Sequence, residues 1–501
     1  WLRVDIPYFP IDLPKNPALD TVLFTNAEKI DVSRLPDSKL MFSPRIGFNW
    51  DVKGDKSVQL RGGTGIFTGR IPFVWMSNQA SNNGVLFGVL EEQGTAAVPT
   101  LANRQFNPDV NAYRPGTVTL PNTIQLASTD PDFKFPQVWR SNLALDYKLP
   151  FEVVMTLEGI FTKDINAVYH RNANLTAPVG IWAGDGRVRY AGTDPGTRAV
   201  RYTDNTAQAN VIFQVSDAVV LDNTNKGWSA SMSALFRKDW NRDFFATAGY
   251  NYGPSYDLTS NPGSIAFSAW SGNQVVGDPN QPQVSFSSNQ QLHRIIASAS
   301  YRKEYASYFA SGISMFYEAR SGFPFSYVYA GDMNGDRING NDLIYIPRNK
   351  DEIVLATSDA NDTRTIDQIW QQLDAYISQD KYLSKHRGEY AARNGAQAPW
   401  STQLDLRIFQ DFYLNVNGKR NTLQVTFDIF NFGNLLNSDW GVQQTPRRNQ
   451  LLSFIGQESV TGRPVFAFPL DGGQPLTETF RNSLTLGSVW QAQLGIRYIF
   501  N

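Results

Sequence analysis

What most constrains this chain is a strict alternation of apolar and polar residues, repeated from end to end, in runs joined by links that are alternately short and long. A period of two places one set of side chains on each face of a strand. From Arg45 to Val52, Ile46, Phe48, Trp50 and Val52 share one face, and Arg45, Gly47, Asn49 and Asp51 share the other. After Lys53-Gly54-Asp55-Lys56 the run Val58 to Phe67 repeats the design, so the two form a hairpin. The pattern returns in Trp228 to Lys238, in Leu404 to Phe412 and in Leu423 to Phe432. It is sharpest at the end, where Trp490, Ala492, Leu494, Ile496, Tyr498 and Phe500 oppose Gln491, Gln493, Gly495, Arg497 and Asn501.

The links carry the next step. Short ones lie at 53–56, at Leu149-Pro150, at Asp239 to Asp243, at Arg302 to Ser307 and at Asn415 to Arg420. Between the hairpins run long stretches, 68–136, 163–218, 254–289, 321–401 and 433–487. Tight turns on one side and large loops on the other are the mark of a transmembrane antiparallel β-barrel, whereas a soluble sandwich has no reason to sort its loops. An opening half strand at Trp1 to Ile6, five hairpins and a final strand predict twelve strands in an all-β wall. Arg45, Arg61, Asp405, Arg407, Asp428 and Arg497 then face the lumen, and the apolar face meets outer-membrane lipid.

Composition removes the competing classes. The net charge of −1 offers no basic surface to follow a phosphate backbone, so nucleic acid is not expected as a partner. With 42% hydrophobic residues, a mean hydropathy of −0.34 and no apolar run near the length of a spanning helix, only strands remain to cross a membrane. Cysteine is absent, which excludes disulfides, thiolate nucleophiles and Cys-bound metals. An aromatic content of 13% suits strands and interfacial girdles. His170, His293 and His386 are scattered, without ligand or triad spacing, and no enzyme activity is expected.

One helix is predicted in the longest loop. Thr365 and Gln368 fit a capping box, and Ile366, Ile369, Trp370, Leu373 and Ile377 follow a period of 3.6. A second helical turn is expected through Glu389 to Asn394, so 321–401 reads as a large extracellular loop carrying a helix. The chain opens in mid-pattern with Trp1-Leu-Arg-Val-Asp-Ile6, and residue 1 is read as an interior position of a longer precursor.

Two sets of residues invite a ligand. Phe73, Trp75 and Asn78, just beyond a strand at the outer rim, mix stacking and hydrogen-bonding groups, and Trp370 lies on the loop helix; packing against neighbouring loops is the alternative for all four. Asp332, Asn334, Asp336 and Asp342 set oxygens at alternate positions, as Ca²⁺ wants, but a plain Asx and Gly turn explains the same residues. No other cofactor is expected. The run Gly63-Thr-Gly65-Ile-Phe-Thr-Gly69 lies inside a strand and reads as close packing.

Gln493, Gly495, Tyr498 and Phe500 fit a polar-x-Gly-x-x-aromatic-x-aromatic ending, which resembles the signal read by the barrel assembly machinery, with Asn501 as one extra residue. Ser43-Pro-Arg-Ile-Gly-Phe-Asn49, Leu60 to Arg70, Ser321-Gly-Phe-Pro-Phe-Ser326, Asn341-Asp-Leu-Ile-Tyr-Ile-Pro347, Arg393-Asn-Gly395 with Pro399-Trp400, and Phe427 to Asn434 extend the resemblance. Together they look like the C-terminal part of a TonB-dependent outer-membrane receptor, most similar to the Oar-like receptors of Bacteroidetes. The resemblance implies a barrel of about 22 strands around a plug, with roughly ten strands and the plug before Trp1. Residues 1–501 would then be the C-terminal part of one barrel domain in the bacterial outer membrane. It also implies import of a surface-bound ligand, peptide or protein being preferred, powered by a TonB, ExbB and ExbD complex that acts upstream of this chain. The alternatives are a structural or adhesive barrel docking a surface lipoprotein or secreted protein, and a passive porin.

Overall fold

A computed structural model describes residues 1–87, 106–113, 123–193, 201, 214–240, 243–416 and 418–500. Asn501 and much of the stretches 68–136 and 163–218 therefore lie outside the described residues. The wall begins with β1 (Leu2–Asp5), β2 (Met41–Asp51), β3 (Val58–Thr68), β4 (Gln137–Lys148), β5 (Val154–Asn172) and β6 (Gly227–Trp240). It continues with β7 (Phe244–Tyr252), β8 (His293–Tyr305), β9 (Phe309–Arg320), β10 (Ser401–Val416), β11 (Lys419–Phe430) and β12 (Gln491–Ile499). These pair in that order within one sheet, each antiparallel to the next, and β1 and β12 each have one neighbour in the path. The wall is thus an open sheet among the described residues. Register follows the alternation, with Ile46 opposite Thr64 and Phe48 opposite Gly62.

The two faces differ as water and lipid require. Ile46, Phe48, Trp50, Met232, Leu494 and Ile496 are all more than half exposed and share one face of their strands. Across the opposite face run polar links: Arg61 Nε meets Asp146 at 3.0 Å and its Nη1 meets Glu158 at 3.7 Å, and Arg407 Nη2 donates to Asp428 at 3.1 Å. An apolar sheet face this extensive needs a covering solvent that is not water.

Aromatic rings band the wall at both ends. On the long-loop side Trp139, Phe161, Trp228 and Tyr256 form a chain with centroids 4.8–6.2 Å apart. On the short-turn side Trp240 packs on Phe244 and Phe309 on Phe412. Trp228 and Trp240 lie on β6, twelve residues apart. At a rise near 3.3 Å and a barrel-like tilt near 40°, that span is about 30 Å, close to the apolar band of an outer-membrane wall.

Buried cores lie in the loops. β5 does not end at residue 163 but continues to Asn172, pairing with Gln214–Thr224, which in turn runs parallel to Thr123–Thr129. The stretches 321–401 and 433–487 fold as one body: Val328–Ala330, Gln450–Gln457, Pro464–Ala467 and Val354–Ala356 form a four-stranded sheet. Its core holds Tyr327, Tyr329, Met333, Ile346 and Phe468, with Trp182 from an earlier loop donating to Met333 O at 2.9 Å.

Candidate functional site

Among the described residues, four α-helices stand on the long-loop side. They are α1 (Phe73–Ser81), α2 (Ala266–Ser271), α3 (Ile366–Gln379) and α4 (Phe432–Leu436). The capping box forms on α3: Gln368 N donates to Thr365 Oγ1 at 3.2 Å, and Thr365 N donates to Gln368 Oε1 at 2.8 Å. Its apolar stripe, Ile369, Leu373, Tyr376 and Ile377, is buried in the loop core, with Trp370 packed against that core. The turn expected over Glu389 to Asn394 is not helical; the helical turn falls at Leu383–Lys385.

That turn is held by Asp380, a buried carboxylate that ties three segments together. Its Oδ1 accepts from the N–H groups of Tyr382 (2.9 Å) and Leu383 (2.8 Å), which makes it the cap of the turn. Its Oδ2 accepts from Tyr327 Oη (2.7 Å) and Thr479 Oγ1 (2.8 Å). The side chains after α3 are thereby fixed against a groove of about 810 Å³.

Three of the sequence motifs meet at this groove. Gly322 passes so close to Ala398 and Pro399 that a Cβ would lie 2.3 Å from Ala398 O, and this approach seats the ribbon of Pro324–Phe325 with Ala396–Gln397. Asn394, at φ +56°, donates through Nδ2 to Phe286 O at 2.9 Å, and its N–H donates to Ser326 Oγ at 2.8 Å. Gly395 packs on Tyr382, whose hydroxyl accepts from Ala392 N at 2.7 Å. The facing side is a second ribbon, Gln444–Pro446 with Phe480–Asn482. Trp400, about half exposed, stacks on His293, and His386 stacks on Tyr382 with centroids 4.2 Å apart.

The groove does not stop at the loops. A neighbouring depression of about 320 Å³ shares Gln290, Ala398, Pro399 and Gln444 with it and adds Arg320 and Ser401. A small recess beyond shares Arg320, Ser401 and Gln443 and adds Glu318 and Gln403. Glu318, Arg320 and Gln403 lie on the polar face of β9 and β10 by their alternation with Tyr317 and Leu404. Overlapping linings therefore lead from the end of α3 onto the polar wall.

The residues singled out in the sequence lie apart from one another. Phe73 is exposed on α1, but Trp75 packs edge-on against His170, and Asn78 is buried, donating to Val74 O and Ser264 O at 2.8 and 2.7 Å. Trp370 belongs to a different core, so these four do not form one pocket. Gln493, Gly495 and Tyr498 pair with Asp428, Thr426 and Leu423, and Phe500 stacks on Tyr498. Missed were Gln397, Gln444, Lys381 and Lys385; a signal was present in Ser321 to Ser326 and in Arg393-Asn-Gly395, whose glycines and prolines mark close backbone approach.

Asp332, Asn334, Asp336 and Asp342 do gather in one loop. Asp332 accepts from the N–H groups of Gly335, Asp336 and Arg337, an Asx turn in which Arg337 takes φ +70°. Asp336 and Asp342 are fully buried, and Asp342 Oδ1 faces Arg187 Nη1 at 3.8 Å. No group of three or more His, Asp or Glu side chains among the described residues is arranged to hold a metal ion. Burial, then the charge of Asp332, pushes Asp336 up to about 7; burial and the charge of Asp336 hold Asp342 well above the usual carboxylate range.

Raised folded-state values make the sign of the pH effect definite. In an unfolded chain these carboxylates ionise near pH 4, so between roughly pH 4 and 7 the folded loop binds more protons. The contribution of these two carboxylates to its stability is greatest in acid and is lost as pH rises through about 7. Hydrogen exchange at Met333 and Asn334, whose amides donate to Asp342, is expected to report more frequent opening at pH 8 than at pH 5.5 after correction for intrinsic rates. Stronger protection at pH 8 would refute this.

Comparison with known proteins places the chain. The family model described as an outer membrane beta barrel domain matches residues 12–457. No curated protein matches the chain. Among solved structures, the outer membrane transporter YddB from Escherichia coli aligns at 11% identity with a TM-score of 0.42, over 92% of this chain and 41% of that one. A ferric enterobactin receptor mutant from Pseudomonas aeruginosa, solved in complex with enterobactin, aligns at 11% identity with a TM-score of 0.28, over 77% and 37%.

Proposed function

The chain belongs to the outer membrane beta barrel domain family and resides in the bacterial outer membrane, and from that premise we propose that it is the ligand-capturing part of a TonB-dependent receptor of the Oar-like kind found in Bacteroidetes. The observation that carries this reading is the groove between folded loops whose lining continues onto Glu318, Arg320 and Gln403 of the polar wall. A ligand held there is already aimed along the strands that face the lumen. Capture outside and delivery inward then need no chemistry on the ligand, and the reading assigns the protein no catalytic step. His170, His293 and His386 have different partners, Asn261, Tyr250 and the Tyr382 carbonyl.

In this reading the barrel assembly machinery inserts the wall, a plug fills the lumen, and TonB with ExbB and ExbD supplies the work of opening it. Liposomes holding the full-length receptor are expected to stay impermeable to small sugars. Swelling would identify a porin and sink the receptor reading. In cells, a photo-crosslinker scanned across the periplasmic face of the receptor is expected to capture TonB; its failure at every position would leave a docking or adhesive barrel in place of a transporter.

A further inference from the structure

We infer that the groove takes an extended peptide, held by its main chain between the two ribbons with its terminal carboxylate toward Lys381 and Lys385. The inference rests on the receptor reading and names its ligand class. Its first support is the form of the walls. Pro324–Phe325 with Ala396–Gln397, and Gln444–Pro446 with Phe480–Asn482, are sheets of two strands each, so among the described residues their outer edges have no strand partner. Strands of two or three residues have short edges, and Pro324 and Pro446 have no N–H to donate, so each ribbon offers an extended peptide one or two main-chain contacts of the kind by which peptides add to a sheet.

The second support is the side chains at the groove. Gln397, whose amide can both donate and accept as a peptide bond does, has no hydrogen-bond partner among the described residues, and it lies beside Trp400 in the lining. Lys381 and Lys385 are exposed at the end set by the turn after α3, and neither forms an ion pair among the described residues. The lining's carboxylates are otherwise engaged: Asp380 holds its four internal donors, and Glu478 faces Arg447 at 3.0 Å. A groove with a short free edge on each ribbon and two unpaired ammonium groups at one end matches a short extended segment that finishes in a carboxylate. A neutral oligosaccharide would use the aromatic rings but leave both the edges and the lysines unmatched.

The test uses the full-length receptor in nanodiscs and a pool of synthetic random decapeptides, read by mass spectrometry of what is retained. Parallel pools carry C-terminal amides or N-methyl groups at alternate positions, and malto-oligosaccharides serve as the glycan probe. Retention is expected for the free-acid pool and to fall about tenfold on amidation, on N-methylation and in the Lys381→Gln/Lys385→Gln variant, the cost of one lost charge-assisted contact or of one or two main-chain bonds. The lysines are exposed, so the variant is expected to retain the folded loop body, which hydrogen exchange verifies. Retention of malto-oligosaccharides without peptides, no retention of peptides, or peptide retention indifferent to all three changes would overturn the inference. Accumulation of a retained peptide in energised and de-energised cells separates the two readings. Binding without energy-dependent uptake leaves the peptide groove standing and removes transport.

Discussion

Met232→Arg is expected to keep the protein out of the outer membrane, whereas Ser233→Arg, one residue on, is expected to assemble normally. Met232 is 62% exposed on the apolar face of β6, between the rings of Trp228 and Trp240. A cation near the middle of the lipid-facing band costs about 2–4 kcal/mol, and the free energy holding a wall together is small enough for that loss to be decisive. Ser233 is across the strand from Glu158 and Asn251, on the face that carries the Arg61, Asp146 and Glu158 links. A guanidinium there gains carboxylate neighbours instead of losing water. Heat-modifiable migration and surface protease protection of the full-length receptor report assembly. If Ser233→Arg fails and Met232→Arg assembles, the two faces have been assigned the wrong way round.

The same contrast shows why the wall was legible in the sequence. Each strand position answers to one neighbouring medium, so Ile46, Phe48 and Trp50 declare their face without reference to anything distant, and β2 and β3 follow from a single turn. The capping box on α3 is equally local, since Thr365 and Gln368 satisfy one another. The loop body is different. Val328–Ala330 pairs in parallel with Gln450–Gln457, more than a hundred residues away, and no alternation within either segment names its partner. α1 was missed because its apolar residues do not make a stripe: Phe73 is exposed while Met76 and the polar Asn78 and Gln79 are buried. The groove was missed for a related reason. Its walls come from 286–292, 320–325, 379–401, 443–445 and 478–480, each of which reads alone as an ordinary turn-rich stretch.

Asp380→Ala is expected to loosen that groove while leaving the wall intact. The carboxylate is 4% exposed and accepts from two backbone N–H groups and two hydroxyls, so its removal strands Tyr327 Oη and Thr479 Oγ1 in the core and uncaps the turn at Leu383–Lys385. Leaving such donors unmet costs about 1–3 kcal/mol each, and a lost cap adds about 1 kcal/mol. The loop body alone bears that loss, because among the described residues no hydrogen bond to Asp380 comes from a wall strand. Hydrogen exchange of the full-length receptor is therefore expected to show protection in α3 and in Gln450–Gln457 falling by about a hundredfold or more, with β8 to β11 unchanged. Asp380→Asn, which keeps one acceptor oxygen, is expected to lie between the two. Equal loosening of wall and loops would mean that the loop body has no stability of its own. Groove and barrel would then have to open together, and a ligand bound between the ribbons would be coupled directly to the wall.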